Sequence, residues 1–514
     1  MRNVGVRIFL DGKTWARLGV GLALAVSLTL ETAVAQDAFV PRPERAWGGP
    51  RFNPGPRFFP IRRGAGFGAP LTNAPWRSEG GRWRQERPPS EGRIWVRSPP
   101  PSFPAPPFAA GAPPPSSLLP PPPFLGRAFP PPPGETRFRR GEVLVEISPA
   151  ATPAFVALIA RRHRLIEADV VPIALLGASV RLWRIPDGRE VAAVVRELAY
   201  EPALAGVQPN YLYAPQQDAP TPAPSAAAEP TPAPSPPQYS LAKLRVNAIV
   251  ETAPAAPVRV AVIDTAIDDA HPDLQGAVEE RFDAIGAAAP PRSLEHGTAI
   301  AGAIAAHGRL KGVDPNVRIL SARAFDSDGA GPTSETLWLL KAIDWAARER
   351  ARVVNMSFAG PPDPALHAIL AAASAKGMTL VAAAGNAGPK SPPLYPAADE
   401  RALAVTATDA DDKLYPKANV GGYIAVAAPG VDVLLPAPQG AYALETGTSV
   451  AAALVSGVVA LMLERRPNAS PSDIRKWLVA TAAPLSGGAR PDEFGAGLVD
   501  ARAATAAAEA AEAK

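Results

Sequence analysis

Hydrophobic and polar positions change their pattern several times along the 514 residues. After residue 238, nearly continuous apolar runs of four to six residues recur, separated by more polar stretches. Strands that are buried on both faces of a parallel sheet have this pattern. The predicted strands are Val258–Ile263, Val317–Leu320, Val353–Met356, Leu380–Ala384, Leu403–Ala407 and Ile424–Ala428.

Helical spacing appears between these runs. One predicted helix places four apolar residues on the same side: Leu337, Leu340, Ile343 and Ala347. This alternation predicts an α/β fold, a parallel sheet with helices on both faces. Reactive groups gather at the carboxyl ends of such strands, where the loops meet at a crevice. Asp264, Ser357 and Asn386 all stand at such ends.

A smaller pattern occupies residues 137–214. Short apolar strands and amphipathic helices follow one another in the order of a βαββαβ unit. The strands are predicted at Val143–Ile147, Leu165–Val171, Val180–Ile185 and Val207–Tyr213, and the helices at Thr152–Arg162 and Arg189–Ala199.

Proline-rich segments surround this unit. Residues 36–136 contain polyproline stretches, which favour extended conformations, and are predicted to be disordered. Residues 215–238 form a Pro/Ala linker, residues 239–505 the larger unit, and residues 506–514 an Ala/Glu tail. Residues 1–35 carry basic residues, an apolar run and an Ala-Val-Ala site, as a cleaved signal peptide does. An uncleaved membrane anchor is the alternative, although the run is shorter than a transmembrane span.

Charge adds little to this picture. The net charge is +4, but residues 36–140 alone hold 16 Arg, no Lys and 6 acidic residues. The basic excess therefore belongs to the proline-rich segment, where a solvated tail is the simpler interpretation than a nucleic-acid site. The absence of cysteine excludes disulfides, thiolate nucleophiles and cysteine zinc sites. A nucleophile must then be Ser, Thr, Lys or a carboxylate.

A serine nucleophile needs a base, and the base needs a carboxylate to orient it. Among five His, His296 has the strongest context, in Glu-His-Gly-Thr-Ala-Ile-Ala-Gly at the start of a predicted helix. Asp264 ends a strand, and Ser449 begins an apolar helix after Gly-Thr. Taken singly, each has a structural alternative: His296 as a helix-start residue bonded to backbone, Asp264 as a cap of the following turn or helix, and Ser449 as an N-cap. Asn386, in Ala-Gly-Asn-Ala-Gly, is either an oxyanion donor or a turn residue.

Together these motifs resemble the subtilisin-like serine proteases over roughly residues 239–504. The resemblance rests on Asp264-Thr265, His296-Gly297-Thr298, Gly385-Asn386 and Gly447-Thr448-Ser449, in this order. It implies that Ser449 attacks the peptide carbonyl, His296 takes its proton and Asp264 supports His296. Asn386 would stabilise the oxyanion.

The resemblance also implies substrate-binding residues. Ser357, Phe358, Ala359 and Gly360 would pair with substrate backbone and, with Ala383, Ala384 and Gly385, line an apolar pocket for the residue before the scissile bond. Tyr395-Pro396 resembles the cis-proline turn of the family. Departures from the family pattern are Ala266, Val450 and Ala453, none of which removes a reacting group.

No cofactor or metal is expected. Asp273 matches a calcium ligand of many relatives, but the loop His307–Gly312 is short and basic, so calcium is not supported there. Residues 137–214 resemble the family's propeptide, which has a ferredoxin-like α+β fold and inhibits the enzyme until cut; a purely structural domain is the alternative.

The sequence thus predicts a secreted or periplasmic, monomeric serine endopeptidase made as an auto-processed precursor. Its partners would be polypeptide substrates and its own propeptide, with no nucleic acid and no transmembrane segment. A catalytically weak envelope scaffold protein and a peptide ligase that uses the same triad are the alternatives.

Overall fold

A computed structural model describes residues 128–148, 150–218, 221–222, 238–249, 256–286, 290–327, 331–485 and 491–511. These residues all belong to one unit of the chain, Ala109–Lys514. The predicted signal peptide, most of the proline-rich segment and most of the linker lie outside the described residues.

The small unit has the predicted βαββαβ order. Its strands form an antiparallel sheet in the order β2-β3-β1-β4, the ferredoxin-like arrangement. A buried Trp183 lies among the aliphatic residues that join the sheet to the two helices. The elements are β1 (Phe138–Ile147), α1 (Pro153–Arg162), β2 (Ile166–Ile173), β3 (Ala178–Arg184), α2 (Val191–Leu198) and β4 (Leu204–Pro215).

The larger unit starts with a two-residue strand and two short helical turns. Its strands are β5 (Thr221–Pro222), β6 (Arg259–Asp264), β7 (Val278–Asp283), β8 (Arg318–Arg323), β9 (Asp326–Ser327), β10 (Pro332–Glu335), β11 (Val353–Met356), β12 (Phe358–Ala359), β13 (Thr379–Ala383), β14 (Ala402–Thr408), β15 (Ile424–Pro429), β16 (Val433–Ala437) and β17 (Ala441–Glu445). Its helices are α3 (Tyr239–Lys243), α4 (Glu295–Ala305), α5 (Thr336–Arg348), α6 (Pro364–Ala375), α7 (Thr448–Arg465), α8 (Pro471–Thr481), α9 (Pro491–Phe494) and α10 (Ala501–Ala510).

Seven parallel strands form the central sheet, in the order β15-β14-β13-β11-β6-β8-β7. Alternate residues of one strand enter different cores: Val260 and Val262 pack with α4, α7, α8 and α10, while Ala261 and Ile263 pack with α5 and α6. Helices therefore cover both faces, which confirms the predicted α/β fold and explains why the six predicted strands are apolar on both sides.

Three features differ from the sequence prediction. Strand β7 is rich in charge because it is the edge strand of the sheet and is partly exposed. Residues 128–136, predicted to be disordered, are described, and Phe129 donates its N–H to the carbonyl of Val207 at 2.9 Å. The predicted tail is partly helical, since α10 runs to Ala510 and buries Ala508 against the core.

Within the described residues, α7 is the one helix that is long and apolar enough to cross a membrane. It is mostly buried in the fold, as the central helix of a globular core is. Its composition is therefore explained by packing.

The two predicted units contact each other through β4. This strand pairs antiparallel with both β10 and β12. At the start of α6, the buried carboxylate of Asp363 accepts hydrogen bonds from Tyr213 Oη at 2.7 Å and Gln208 Nε2 at 2.8 Å. It also caps α6 by accepting from the N–H of Ala365 at 2.9 Å. A capping residue of the larger unit thus binds the small one.

Candidate active site

An Asp–His pair lies at the carboxyl end of the central sheet. Asp264 is the last residue of β6, and His296 is the second residue of α4. Asp264 Oδ1 lies 2.6 Å from His296 Nδ1, and the two residues are only 2% and 5% exposed. The same oxygen accepts the N–H of Thr265 at 2.7 Å. The carboxylate therefore favours a proton on Nδ1 and leaves Nε2 as the basic nitrogen.

Small residues allow this pair to form. The N–H of Gly297 donates to Thr265 Oγ1 at 2.9 Å, and a Cβ on Gly297 would lie 2.5 Å from the carbonyl oxygen of Thr265. Only glycine lets α4 begin this close to β6. Ala266, one of the departures from the family pattern, contributes a carbonyl to the same contact.

His296 is distinguished from the other histidines by the burial of its unpaired ring nitrogen. Its Nε2 is buried and has no hydrogen-bond partner. The other four bond elsewhere: His163 to Glu201, His271 to Ala441 and Asp273, His307 to Ala305 and Gln275, and His367 to Asp399.

Ser449 is the second residue of α7, which packs against α4. Its Oγ, like His296 Nε2, is buried and without a hydrogen-bond partner. Ser357 Oγ donates to the Ser449 carbonyl at 3.0 Å and accepts from Asn355 Nδ2 at 2.9 Å, which fixes the backbone at this turn. Val450 and Ala453 are fully buried, so these departures alter core packing.

Asn386 lies beside the start of α7. Its Oδ1 accepts from the N–H and Oγ1 of Thr448 at 3.1 and 2.8 Å, which orients the amide. Its Nδ2 is buried and has no hydrogen-bond partner. A Cβ on Gly447 would lie 2.9 Å from this Nδ2. An amide donor is therefore held, unsatisfied, close to the helix start that carries Ser449.

The predicted substrate strand binds a segment of this chain. Phe358 and Ala359 pair antiparallel with Pro215 and Ala214 at the end of β4. The ring of Phe358 is buried, with its centroid 5.8 Å from that of Tyr213. Ala383 and Ala384 are fully buried, and the N–H of Gly385 donates to Thr448 Oγ1 at 3.2 Å. Gly360 leaves space for the ring of Tyr213, since a Cβ at residue 360 would lie 2.4 Å from that ring.

The carboxylate of Asp273 is bonded to the backbone of the loop His307–Gly312. Its two carboxylate oxygens accept the N–H groups of Arg309 and Leu310 at 2.7 and 2.9 Å. A Cβ on Gly308 would lie 2.1 Å from Asp273 Oδ1. In the described part of the chain, no group of three or more His, Cys, Asp or Glu has the arrangement of a metal site.

The bond from Tyr395 to Pro396 is cis, as predicted.

Sequence reasoning missed Glu445, which ends β17 four residues before Ser449. It is 1% exposed, and burial raises the pKa of its carboxyl to about 7; nearby His296 opposes this rise and Glu295 adds to it. Its signal in the sequence is an acidic residue at the end of an apolar strand, directly before the Thr-Gly-Thr-Ser motif.

Comparison with known proteins places these motifs in one family. Residues 256–497 match the Subtilase family. The chain is 32% identical to the subtilisin of Bacillus pumilus over 274 residues, 52% of this chain and 98% of that protein. It is 34% identical to a thermophilic serine proteinase of Bacillus sp. strain AK1 over 303 residues, 58% of this chain and 72% of the relative.

A solved structure agrees with this match. Fervidolysin from Fervidobacterium pennivorans, a keratinolytic enzyme related to subtilisin, aligns with a TM-score of 0.59 and 25% identity. The alignment covers 74% of this chain and 63% of fervidolysin, so the chain spans less than two thirds of that protein.

Proposed function

Because the chain belongs to the subtilase family of serine proteases, we propose that it is a secreted endopeptidase that cleaves polypeptides through an acyl-enzyme on Ser449. The observation that carries this proposal is the buried Asp264–His296 pair. His296 Nε2 and Ser449 Oγ are both buried and have no hydrogen-bond partner, so neither atom is committed to another group.

The first half of the reaction forms the acyl-enzyme. His296 Nε2 takes the proton of Ser449 Oγ as the oxygen attacks the substrate carbonyl, and Asp264 stabilises the resulting imidazolium. The oxyanion accepts hydrogen bonds from the Ser449 N–H and from Asn386 Nδ2, which stabilise the negative charge as it develops. His296 then gives the proton to the leaving amine.

Water completes the cycle. His296 accepts a proton from the water that attacks the ester, and Ser449 leaves with that proton. The same constellation also hydrolyses an internal bond of a flexible chain, since the substrate strand binds backbone and needs no free terminus.

Residues 137–214 are proposed to inhibit the enzyme before maturation. Support comes from β4. The end of this strand pairs antiparallel with the predicted substrate strand at Phe358–Ala359. A segment in this place excludes other polypeptides until it is cut and released. Asp363, which binds Tyr213 and Gln208, adds to the affinity of the unit.

A fluorophosphonate probe and a casein digest test the activity. Wild-type protein is expected to be labelled and to degrade casein, and Ser449→Ala to do neither. Ser472→Ala, which changes an exposed serine of α8, is the matched control and keeps both. A folded Ser449→Ala protein that degrades casein at the wild-type rate refutes the assignment.

Product analysis separates the alternatives. Hydrolysis yields free carboxyl termini only, whereas a peptide ligase transfers the acyl group to an added amino-acid amide. A scaffold protein binds unstructured polypeptide without cutting it. Detection of the mature chain in the culture medium tests secretion.

A further inference from the structure

The chain itself runs through the catalytic cleft. On one side, Ala214 and Pro215 pair with β12, and Gln216 donates its N–H to the carbonyl of Ser357 at 3.1 Å. Backbone pairing of this kind is how a protease holds the residues before a scissile bond.

Pairing resumes on the other side of the nucleophile. Asp218 donates its N–H to the carbonyl of Thr446 at 2.8 Å, and Thr221–Pro222 pairs antiparallel with Leu444 and Ala443 of β17. The backbone is therefore bound before Gln216 and after Gln217, and the bond between these two residues lies at the catalytic centre.

The Gln216 carbonyl bonds to one of the two proposed oxyanion donors and lies near the other, Asn386 Nδ2, without bonding to it. Its oxygen accepts the N–H of Ser449 at 3.1 Å. A Cβ on Gly447 would lie 2.3 Å from this oxygen and 2.9 Å from Asn386 Nδ2. The Gln216 carbonyl and the Asn386 amide therefore both lie next to Gly447. The Gln216 side chain accepts the N–H of Asn386 through Oε1 at 2.7 Å, which fixes the residue before the bond.

A buried carboxylate holds the residue after the bond. The Nε2 of Gln217 donates a hydrogen bond to Glu445 Oε2. Glu445 is almost fully buried, and His296 and Glu295 are the titratable groups that act on it. An amide donor satisfies this acceptor, whereas an acidic or apolar side chain leaves it buried and unpaired, which is costly.

We propose that Gln216–Gln217 is the bond the enzyme cleaves in its own precursor, and that Glu445 selects the residue after the scissile bond by accepting a hydrogen bond from its side-chain N–H. This inference rests on the proposed protease activity. Ser449 Oγ bonds to the Gln216 carbonyl carbon, the bond to Gln217 nitrogen breaks, and that nitrogen receives the serine proton through His296. One water then releases the Gln216 carboxyl and restores Ser449.

Mass spectrometry of the processed chain tests the bond. The catalytic fragment is expected to begin at Gln217 and the inhibitory fragment to end at Gln216, and Ser449→Ala precursor is expected to stay intact. If the fragments have other termini but processing still requires Ser449, the assignment of the cleaved bond is refuted and the protease activity is not. Failure of wild type to bind fluorophosphonate or cut any polypeptide refutes the activity itself.

Peptide kinetics test Glu445. Pairs of peptides that differ only in Gln or Glu after the scissile bond are assayed well above pH 7, where Glu445 is ionised. With the wild-type enzyme they are expected to differ about 10-fold or more in kcat/KM, which corresponds to one charge-assisted hydrogen bond. Glu445→Leu is expected to remove most of this preference. Glu445→Gln retains an acceptor and is expected to keep part of it. The control Glu400→Leu changes an exposed glutamate and is expected to keep the wild-type ratio.

Two results would refute the proposed role of Glu445. A wild-type enzyme that cuts the two peptides equally, or a Glu445→Leu enzyme with an unchanged ratio and normal fluorophosphonate labelling, overturns the role of Glu445. Precursor with Gln217→Glu is expected to mature about 10-fold more slowly than wild type for the same reason.

Discussion

Asp314 carries a buried charge that the fold does not fully compensate. It lies in the turn before β8, is 1% exposed, and uses Oδ1 to accept the N–H of Asn316 at 3.0 Å. Its Oδ2 is buried and has no hydrogen-bond partner. Burial raises the pKa of Asp314 to about 7 and nearby Glu464 adds to this, while the Asn316 bond and Arg465 act in the opposite direction. We therefore expect Asp314→Asn to stabilise the protein at neutral pH.

The sign and size follow from the two pKa values. Between the ordinary pKa of 3.8 and the folded value of about 7, the unfolded chain has lost a proton that the native protein still holds. Stability therefore falls as pH rises through this window and is constant above it. A shift of about 3 units at ~1.4 kcal/mol each corresponds to roughly 4 kcal/mol. Asparagine is never ionised and keeps the oxygen that accepts from Asn316, so it avoids this cost.

Urea unfolding of proteins in the Ser449→Ala background measures the effect without self-digestion. Asp314→Asn is expected to raise the free energy of unfolding by up to ~4 kcal/mol near pH 8 and to change it little near pH 4. The control Asp411→Asn removes an exposed carboxylate and is expected to have little effect at either pH. An equal change at both pH values, or no gain near pH 8, would refute the argument that the unpaired charge is the cause.

The remaining predictions concern catalysis and metals. Ser449→Ala is expected to abolish casein hydrolysis and precursor processing. His296→Ala is expected to lower the rate of hydrolysis nearly as much, and the double variant little more, because the two residues act as one unit. Steady-state and single-turnover rates measure these losses. Asn386→Ala is expected to lower kcat about 10²–10³-fold, the effect measured when a subtilisin loses its oxyanion-hole asparagine, with a smaller change in KM. An unchanged kcat would show that Asn386 is not an oxyanion donor. Chelation by EDTA is expected to leave activity and melting temperature nearly unchanged, because the oxygens of Asp273 already accept backbone N–H groups; a large loss that calcium restores would reveal a site elsewhere.

Sequence patterns predicted the parts of the fold whose burial is complete. All six apolar runs are strands of the central sheet, because a strand covered on both faces has few polar positions. Strand β7 was not predicted, because it lies at the edge of the sheet and its charged side chains are exposed. Its sequence pattern therefore resembles that of a polar loop. The Asp264–His296 contact was predictable because the strand end and the helix start are each marked in the sequence.

Contacts between distant segments were not predictable in the same way. Glu445 and Gln217 are 228 residues apart, and neither has a local pattern that points to the other. The contacts of Asp363 with the small unit could not be predicted for a different reason. Its role as a helix cap is local, whereas its bonds to Tyr213 and Gln208 depend on how the small unit docks. Only the folded chain brings such groups together.

The segment through the cleft shows why its own sequence carries so weak a signal. Residues 214–218 and 221–222 are held largely by backbone hydrogen bonds, so their side chains need no alternation of apolar and polar residues. Three side chains add specific contacts: Gln216 bonds to Asn386, Gln217 bonds to Glu445, and the Asp218 carboxylate accepts from Lys417 Nζ at 2.9 Å. A protease that accepts many substrates must bind the features common to all chains, which are their peptide groups. A built-in substrate therefore has the composition of a linker, and the side chains that are recognised belong to Gln216, Gln217 and Asp218, at and next to the bond to be cut.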